Sequence, residues 1–177
     1  NMGTLEIALM ADGVAPDNLY PLDIPRAFRS LTRIRPSVVA WWRDGSDNQQ
    51  LFADRVVDIG AAFNGRIGNL QKQGMDLRIE WNQGLLLQDF WAVAAKSRNS
   101  AAAQRFIAFA LRPDRQADFV RRIPYGPTNA GAFDLIEPEL GEQLPSHPKN
   151  FSRQVVRNDV WYAQTDASGK TNLQRVL

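Results

Sequence analysis

Apolar positions in the first half of the chain follow two different periods, which predict alternating helices and strands. After Asp23 they recur at helical spacing, and Asp23 as a cap with Pro25 in the first turn predicts a helix that Pro36 ends. Residues 5–9 could form a short strand or one helical turn. Short β-branched and aromatic runs between turn residues predict buried strands, at residues 37–42, 55–63 and 77–81.

Helices are predicted between these strands, one through Leu51 and Phe52 and one from Ile67 to Gly74. Strands that alternate with helices favour an α/β fold in which helices cover a mostly parallel sheet. Such sheets bind ligands beyond the carboxyl ends of their strands, so the turn after Phe63 is one candidate place for a site.

The pattern changes to helices in the second half of the chain. One more apolar strand is predicted at residues 90–95, and Asn99 and Ser100 cap a helix over residues 101–111. Further helices are predicted from Pro113 to Ile123, over 132–136 and 138–140, and within 150–163. One sheet followed by a helical region is typical of the C-terminal half of a two-lobed protein.

Composition allows a core and argues against several classes of protein. The chain has 177 residues, 44% of them hydrophobic, which suits one domain or one domain and part of another. No apolar stretch reaches the ~18 residues of a membrane-spanning helix, and no signal-peptide pattern opens the chain. The 21 basic and 19 acidic residues are not clustered, so we expect no nucleic-acid partner.

Few residues could carry catalysis. The chain has no cysteine, and its single histidine, His147, lies in a proline-flanked loop, which disfavours a catalytic triad and a histidine metal site. Glu80 and Asp89 are the acids on which a carboxylate-dependent hydrolase would depend, but nothing in their spacing fixes them ~5–9.5 Å apart. We therefore expect no enzymatic activity, no cofactor and no metal.

Segments along nearly the whole chain resemble, in collinear order, the bacterial periplasmic solute-binding proteins of polyamine (spermidine/putrescine-type) ABC importers. They are residues 8–14, 19–23, 26–28, 39–42, 50–54, 63–67, 89–93, 106–109 and 123–129. No single segment is diagnostic, but the ordered set is specific to this family.

The resemblance implies an α/β fold of the type II periplasmic-binding-protein kind, with a ligand cleft between two lobes. Residues 4–83 would form the complete second lobe, and residues 84–93 would be the hinge crossing and return strand. Residues 94–177 would supply the helical C-terminal part of the first lobe, whose N-terminal part is absent.

The function implied by the resemblance is that of a periplasmic, non-enzymatic component of an ABC transporter. It would bind a small cationic solute such as a polyamine and deliver it to a permease in the inner membrane. A receptor for another small amine or amino-acid-like solute, used in sensing, is the alternative. The partner for the incomplete lobe would be the missing N-terminal half or a second chain, and we expect the 177 residues alone to bind ligand weakly.

Carrying the family's ligand positions over gives four candidate substrate-binding residues. Asp89 takes the position of the ammonium-binding carboxylate, and Tyr125 and Phe63 take positions of aromatic lining residues. Tyr162 falls near a further polar position. Carboxylates replace the water around an ammonium group, and aromatic faces attract cations. Leu87 departs from the family, because an aromatic residue is expected there.

Purely structural roles are the alternative interpretation for these positions. Asp89 could be a turn residue, Tyr125 could cap a core with its hydroxyl outward, and Phe63 could be a core residue. The turn Asn64-Gly65 could also contact ligand.

Three expectations concern side chains outside these four positions. Trp41 and Trp42 point to opposite faces of a predicted strand, and we expect both to pack in the core. Arg66, Arg121 and Arg122 are expected to be surface charges. Because part of a lobe is missing, we also expect an uncovered apolar face, formed by residues 90–93 and the helix over 101–111.

Overall fold

A computed structural model describes residues 3–176 of the chain as mostly helical. Within them ten α-helices form: α1 (Thr4–Ala11), α2 (Ile24–Ile34), α3 (Gly45–Ala53), α4 (Asn64–Lys72), α5 (Ser100–Ala110), α6 (Pro113–Arg122), α7 (Pro138–Gly141), α8 (Pro148–Phe151), α9 (Asp159–Ala163) and α10 (Asn172–Val176). The same residues contain 3-10 helices at Pro16–Asn18, Arg35–Ser37 and Ala130–Leu135, and the strands β1 (Leu85–Leu86) and β2 (Val155–Val156).

The chain divides into two compact units. Unit 1 consists of the described residues of Asn1–Arg43, Asn82–Leu87 and Gln154–Leu177, and unit 2 consists of Asp44–Trp81 and Gln88–Arg153. These boundaries are not those of the predicted lobes, which refer to a longer protein and stay a prediction.

Unit 1 is built around helix α1, which packs on α2. Leu5 and Leu9 of α1 are buried with Ala27 of α2 and Trp161 of α9. The two strands pair in parallel, with the Val155 amide donating to the Gly84 carbonyl at 2.8 Å. Gly3 precedes α1 with φ 97°, and a Cβ there would lie 2.7 Å from a Leu85 methyl carbon, so only glycine fits this junction.

Helix α2 forms where the capping residues predict it. The Asp23 carboxylate accepts a hydrogen bond from the Arg26 amide at 3.0 Å, and Pro25 lies in the first turn. Arg26 and Arg33 on this helix both pair with Asp12 at the end of α1, with an Arg26 Nε to Asp12 Oδ2 distance of 2.6 Å. These ion pairs join α2 to α1.

Unit 2 contains two small apolar cores. Phe52 of α3 packs with Ile67 and Leu70 of α4 in the first core. The second core is formed by residues that lie between α6 and residue 144: Ala117, Val120, Ala132, Ile136 and Leu144. Both cores lie under helices that the sequence predicts from apolar spacing and caps.

The predicted strands are wrong. The segments 37–42, 55–63, 77–81 and 90–95 form no strand within the described residues. A strand is stabilised by hydrogen bonds to a neighbouring backbone and by burial of one face. These segments do not pair with a neighbouring strand within the described residues, and apolar side chains in them stay exposed. Ile59 is 90% exposed and Trp41 is 56% exposed. The expectation that Trp41 packs in a core is therefore also wrong, and Trp42 is half-buried.

The predicted helices are largely confirmed. Helices α3, α4, α5 and α6 lie where spacing and caps place them, and residues 5–9 belong to α1 rather than to a strand. The segment predicted as a helix over 132–136 forms a 3-10 helix, Ala130–Leu135. Local signals determine these elements because a helix satisfies its backbone hydrogen bonds within one segment.

The expected uncovered apolar face is present in unit 2. It consists of Phe90, Trp91, Phe106 and Phe109, and we call it the aromatic face. Phe90 is 75% exposed, and the Trp91 and Phe106 rings meet edge to face at 5.4 Å. Arg112 and Arg115 lie over the Phe109 ring. Contiguous exposed apolar surface is typical of interaction sites and ligand-binding grooves.

Candidate functional site

The first turn of α4 meets the loop at residues 123–129 in unit 2, which we call the proline-rich loop. The Asn64 side-chain amide donates a hydrogen bond to the Pro124 carbonyl oxygen at 2.5 Å. Next to it, the backbone of Gly65 approaches the Tyr125 ring so closely that a Cβ on Gly65 would lie 2.8 Å from two ring carbons. The first turn of α4 therefore touches both the backbone and the aromatic side chain of this loop.

Phe63 and Arg66 meet at the start of α3. Phe63 is the residue before α4, and Arg66 lies three positions later on the same face of the helix start. A Cβ on Gly45 would lie 3.1 Å from Arg66 Nε and 3.3 Å from a Phe63 ring carbon. Both side chains thus contact the first residue of α3, and both are half-buried.

Asp44 adds a negative charge beside this contact. Its carboxylate caps α3 and accepts hydrogen bonds from the Ser46 and Asp47 amides at 2.7 and 3.1 Å. The backbone hydrogen bonds from Asp47 and Ser46 and the nearby Arg66 charge lower the pKa of Asp44. Arg66 also donates to the Gln49 side chain at 3.4 Å. The start of α3 therefore offers an aromatic ring, a guanidinium and a carboxylate within one small region.

The structure brings together two of the four predicted ligand residues. Phe63 directly precedes Asn64-Gly65 in the chain, the Tyr125 ring lies against Gly65, and Tyr125 is 36% exposed. Asp89 belongs to the same unit, is exposed, and makes no hydrogen bond or ion pair within residues 3–176. Its carboxylate is therefore available to a ligand, and its binding role stays a prediction.

Tyr162, the fourth predicted residue, lies in the core of unit 1. Its hydroxyl donates to Glu6 Oε1 at 2.7 Å, as does the Tyr20 hydroxyl, and Glu6 is fully buried. Burial raises the pKa of Tyr162 and of Tyr20, and the neighbouring Glu6 carboxylate raises both further. The ligand role of Tyr162 stays a prediction, although its hydroxyl already has a protein partner.

A surface depression of about 230 Å³ lies beside Tyr162 in unit 1. Its polar lining includes Arg157 and Asp159, whose side chains pair with each other at 2.6 Å. Because these two charges already neutralise one another, the depression offers a ligand little charge.

Sequence reasoning missed Arg66, which it placed among the surface charges. The available signal is the spacing of Phe63 and Arg66, since residues three apart at a helix start lie on one face. Of the other two arginines, Arg121 is exposed and pairs with Glu137 and Asp118, and Arg122 is exposed, as predicted.

The remaining candidates for chemistry have structural roles. His147 accepts a hydrogen bond from the Lys149 amide at the start of α8, and its ring packs against Phe133 at 5.8 Å. Glu80 pairs with Arg153 at 2.6 Å. Among the described residues, no group of three or more acidic or histidine side chains is placed to hold a metal ion. Across positions 3–176, every helix is too short or too polar to cross a membrane.

A family model described as bacterial extracellular solute-binding protein matches residues 1–151 of the chain. The γ-aminobutyric acid-binding protein of Pseudomonas aeruginosa is 41% identical over 153 residues, 84% of this chain and 43% of that protein. The spermidine/putrescine-binding periplasmic protein of Salmonella typhimurium is 27% identical over 159 residues, 88% of this chain and 45% of that protein.

A solved structure extends the likeness to three dimensions. The crystal structure of an ABC transporter substrate-binding protein from Bradyrhizobium japonicum superposes with a TM-score of 0.82 at 37% identity. The match covers 98% of this chain and 55% of that one. The chain thus spans less than half the length of the curated relatives named above. The predicted fold class, part of a periplasmic-binding-protein-like fold, is confirmed by this likeness.

Proposed function

Because this chain belongs to the bacterial extracellular solute-binding protein family, we propose that it supplies ligand-binding residues to the receptor of an ABC importer. The family consists of solute-binding proteins, which confirms the prediction of a binding protein rather than an enzyme. It is described as extracellular, which confirms the predicted location outside the cytoplasm, and the Salmonella relative is named periplasmic.

The proposed solute is a small amino acid whose ammonium and carboxylate groups lie at opposite ends. The observation that carries this proposal is the position of Arg66 beside Phe63 at the start of α4. A guanidinium binds a carboxylate through paired hydrogen bonds, whereas it repels the second ammonium group of a diamine. A polyamine carries no carboxylate, so Arg66 favours the amino-acid-like alternative.

Asp89 is the proposed partner of the ammonium group. It is exposed and unpaired within the part of the chain that the structure describes, and it lies in the same unit as Arg66. Phe63 and Tyr125 would contact the carbon chain between the two charged ends. The 41% identity to a γ-aminobutyric acid-binding protein supports this solute class, and the 27% identity to a spermidine/putrescine-binding protein supports polyamines less.

The partners proposed for the whole receptor are a permease and the N-terminal half of the receptor polypeptide. The aromatic face is exposed, and the solved relative contains further chain beyond the stretch that matches. We expect that half to cover the aromatic face, which would bury large aromatic side chains at a gain of about 25 cal/mol per Å².

The test is a thermal-shift titration of the chain with γ-aminobutyric acid and with putrescine, each raised into the millimolar range. A ligand that binds only the folded state adds about 2.7 kcal/mol of stability at 100 times its Kd. We expect γ-aminobutyric acid to raise the melting temperature more than putrescine does. Stabilisation by putrescine alone, or by neither solute, would contradict the proposed solute class.

Matched variants locate the site. We expect Arg66→Gln to remove the preference for the carboxylate-bearing solute, while Arg122→Gln, which removes the same charge from an exposed position, leaves it unchanged. Asp89→Asn should weaken binding of both solutes, and the exposed Asp76→Asn should not. An unchanged titration of Arg66→Gln would place the carboxylate elsewhere.

A further inference from the structure

We propose that Asn64, Gly65 and Gly68 of α4 are positioning residues that fix the Tyr125 ring for ligand binding. The geometry concerns residues of unit 2 alone, while the ligand readout rests on the proposed function. The sequence alone predicts that Asn64 and Gly65 form a turn, which could contact ligand directly, and it predicts no role for Gly68.

The two glycines leave space that the proline-rich loop fills. A Cβ on Gly65 would lie 2.8 Å from Cε1 and from Cζ of Tyr125, and a Cβ on Gly68 would lie 2.5 Å from Cγ of Pro124. Side-chain carbons do not approach one another this closely, so each glycine admits its neighbour only because it has no side chain. Residues three apart lie on one face of a helix, and this face of α4 therefore receives both rings.

A hydrogen bond fixes the same loop along a second direction. The Asn64 side-chain amide donates to the Pro124 carbonyl at 2.5 Å, and Pro124 is buried. Within the loop, the Tyr125 amide donates to the Ile123 carbonyl at 2.7 Å, which closes a three-residue turn. The peptide unit that joins Pro124 to Tyr125 is thus held at its carbonyl and at its amide, and the direction of the Tyr125 side chain is restricted with it.

The far end of the loop is held as well. The Ser146 hydroxyl donates to the Pro127 carbonyl at 2.9 Å, and a Cβ on Gly126 would lie 2.5 Å from that hydroxyl oxygen. Pro124 and Pro127 each restrict their own φ angle. The loop is therefore fixed between α4 and Ser146.

The consequence for binding is preorganisation. The Tyr125 ring rests on Gly65 while 36% of the residue stays exposed, so the ring is accessible to a solute without having to be ordered first. Ordering a side chain on binding costs conformational free energy, and a ring that is already fixed avoids this cost. Gly65 thus acts on ligand affinity through Tyr125, which we expect to touch the ligand.

The test is a double-mutant cycle of Gly65→Ala and Tyr125→Ala, measured by thermal unfolding of the full 177-residue chain. In the parent, Gly65→Ala should lower the melting temperature, because the new methyl group displaces the ring. In the Tyr125→Ala background the same change should be neutral or stabilising, because the ring is gone and alanine favours a helix. Equal effects in both backgrounds, or failure to fold in both, would overturn the proposal.

The control for the cycle is Gly141→Ala in α7. A Cβ there meets its nearest atom, a Phe133 ring carbon, at 3.5 Å, which is an ordinary contact. It should have the same small effect in both backgrounds.

Ligand affinity separates a positioning role from a purely structural one. With γ-aminobutyric acid as the probe, Gly65→Ala should raise the Kd by a factor similar to that of Tyr125→Ala, several-fold, while Gly141→Ala leaves it unchanged. If the two substitutions are coupled in melting temperature but Gly65→Ala leaves the Kd unchanged, Gly65 affects stability alone, and the positioning role is overturned. If the parent binds no solute, the proposed function fails, and the cycle still decides whether Gly65 fixes the ring.

Discussion

The hydroxyl of Tyr162 donates a hydrogen bond to Oε1 of Glu6 at 2.7 Å, although the two residues lie 156 positions apart. Tyr20 donates to the same oxygen, and Glu6 is fully buried in the core of unit 1. The other oxygen, Oε2, is buried without a hydrogen-bond partner in the described part of the chain. Burying a carboxyl group costs free energy unless hydrogen bonds replace those to water, so Glu6 depends strongly on the two tyrosine hydroxyls.

Removing one donor should therefore destabilise unit 1. We expect Tyr162→Phe to lower the free energy of unfolding by about 1–3 kcal/mol, because it leaves Glu6 with a single donor. Urea unfolding followed by circular dichroism measures this loss. Tyr125→Phe removes the same hydroxyl from an exposed tyrosine that makes no side-chain hydrogen bond within residues 3–176, and it should leave the stability unchanged.

The Tyr162→Phe variant also tests the ligand role predicted for Tyr162. If its hydroxyl serves the core, Tyr162→Phe should change stability without changing solute affinity once the protein is folded. Weaker binding at unchanged stability would instead assign Tyr162 to the ligand site.

Acid should weaken the connection between α1 and α2. Hydrogen bonds from Arg26 and Arg33 lower the pKa of Asp12 from its ordinary value of 3.8. A carboxyl whose pKa is lower in the folded state stabilises the protein above its unfolded pKa, and this contribution is lost as the pH falls through the folded pKa. Asp12→Asn should therefore melt at a lower temperature than the parent at neutral pH and should approach the parent below about pH 4.

Thermal unfolding from pH 7 to pH 2 measures this dependence. The control is Asp17→Asn, which removes an exposed carboxylate that forms no ion pair in the described residues. A constant difference between Asp12→Asn and the parent across this range would show that the charge of Asp12 is not what stabilises the junction.

Substitutions should distinguish the aromatic face from the true core of unit 2. Phe106 is 54% exposed and its main ring contact is with Trp91, so Phe106→Gln should lower the free energy of unfolding by no more than about 1.5 kcal/mol. It should also reduce the binding of a hydrophobic dye. Phe52 is 7% exposed, and Phe52→Ala should cost about 3–5 kcal/mol. A large loss for Phe106→Gln would mean that the aromatic face is already covered in solution, for example by a second copy.

The sequence predicts helices here better than it predicts strands. The cap at Asp23, the proline at position 25 and the apolar spacing up to Ile34 are all local, and the helix they predict forms. The apolar run around Ile59 carries an equally clear strand signal, but Ile59 is 90% exposed. A strand depends on a neighbour that its own sequence does not contain.

In the candidate site, too, the sequence predicts some residues, and contacts between distant segments reveal the others. The resemblance to a family pointed to Phe63 and Tyr125, and the structure places the Tyr125 ring against Gly65 and the Phe63 ring against Gly45. The three-residue spacing of Phe63 and Arg66 indicates a common face, but only the structure shows that both side chains lie against Gly45, 21 positions before Arg66 in the sequence.

By itself, the sequence determined the positions of the main helices and the family, because caps, spacing and ordered motifs are properties of the chain. Only the tertiary structure decided which predicted strands find no partner, which glycines admit a neighbouring ring, and which carboxylate is buried under two tyrosines. Each of these depends on contacts between segments far apart in the chain, whose energies no local pattern contains.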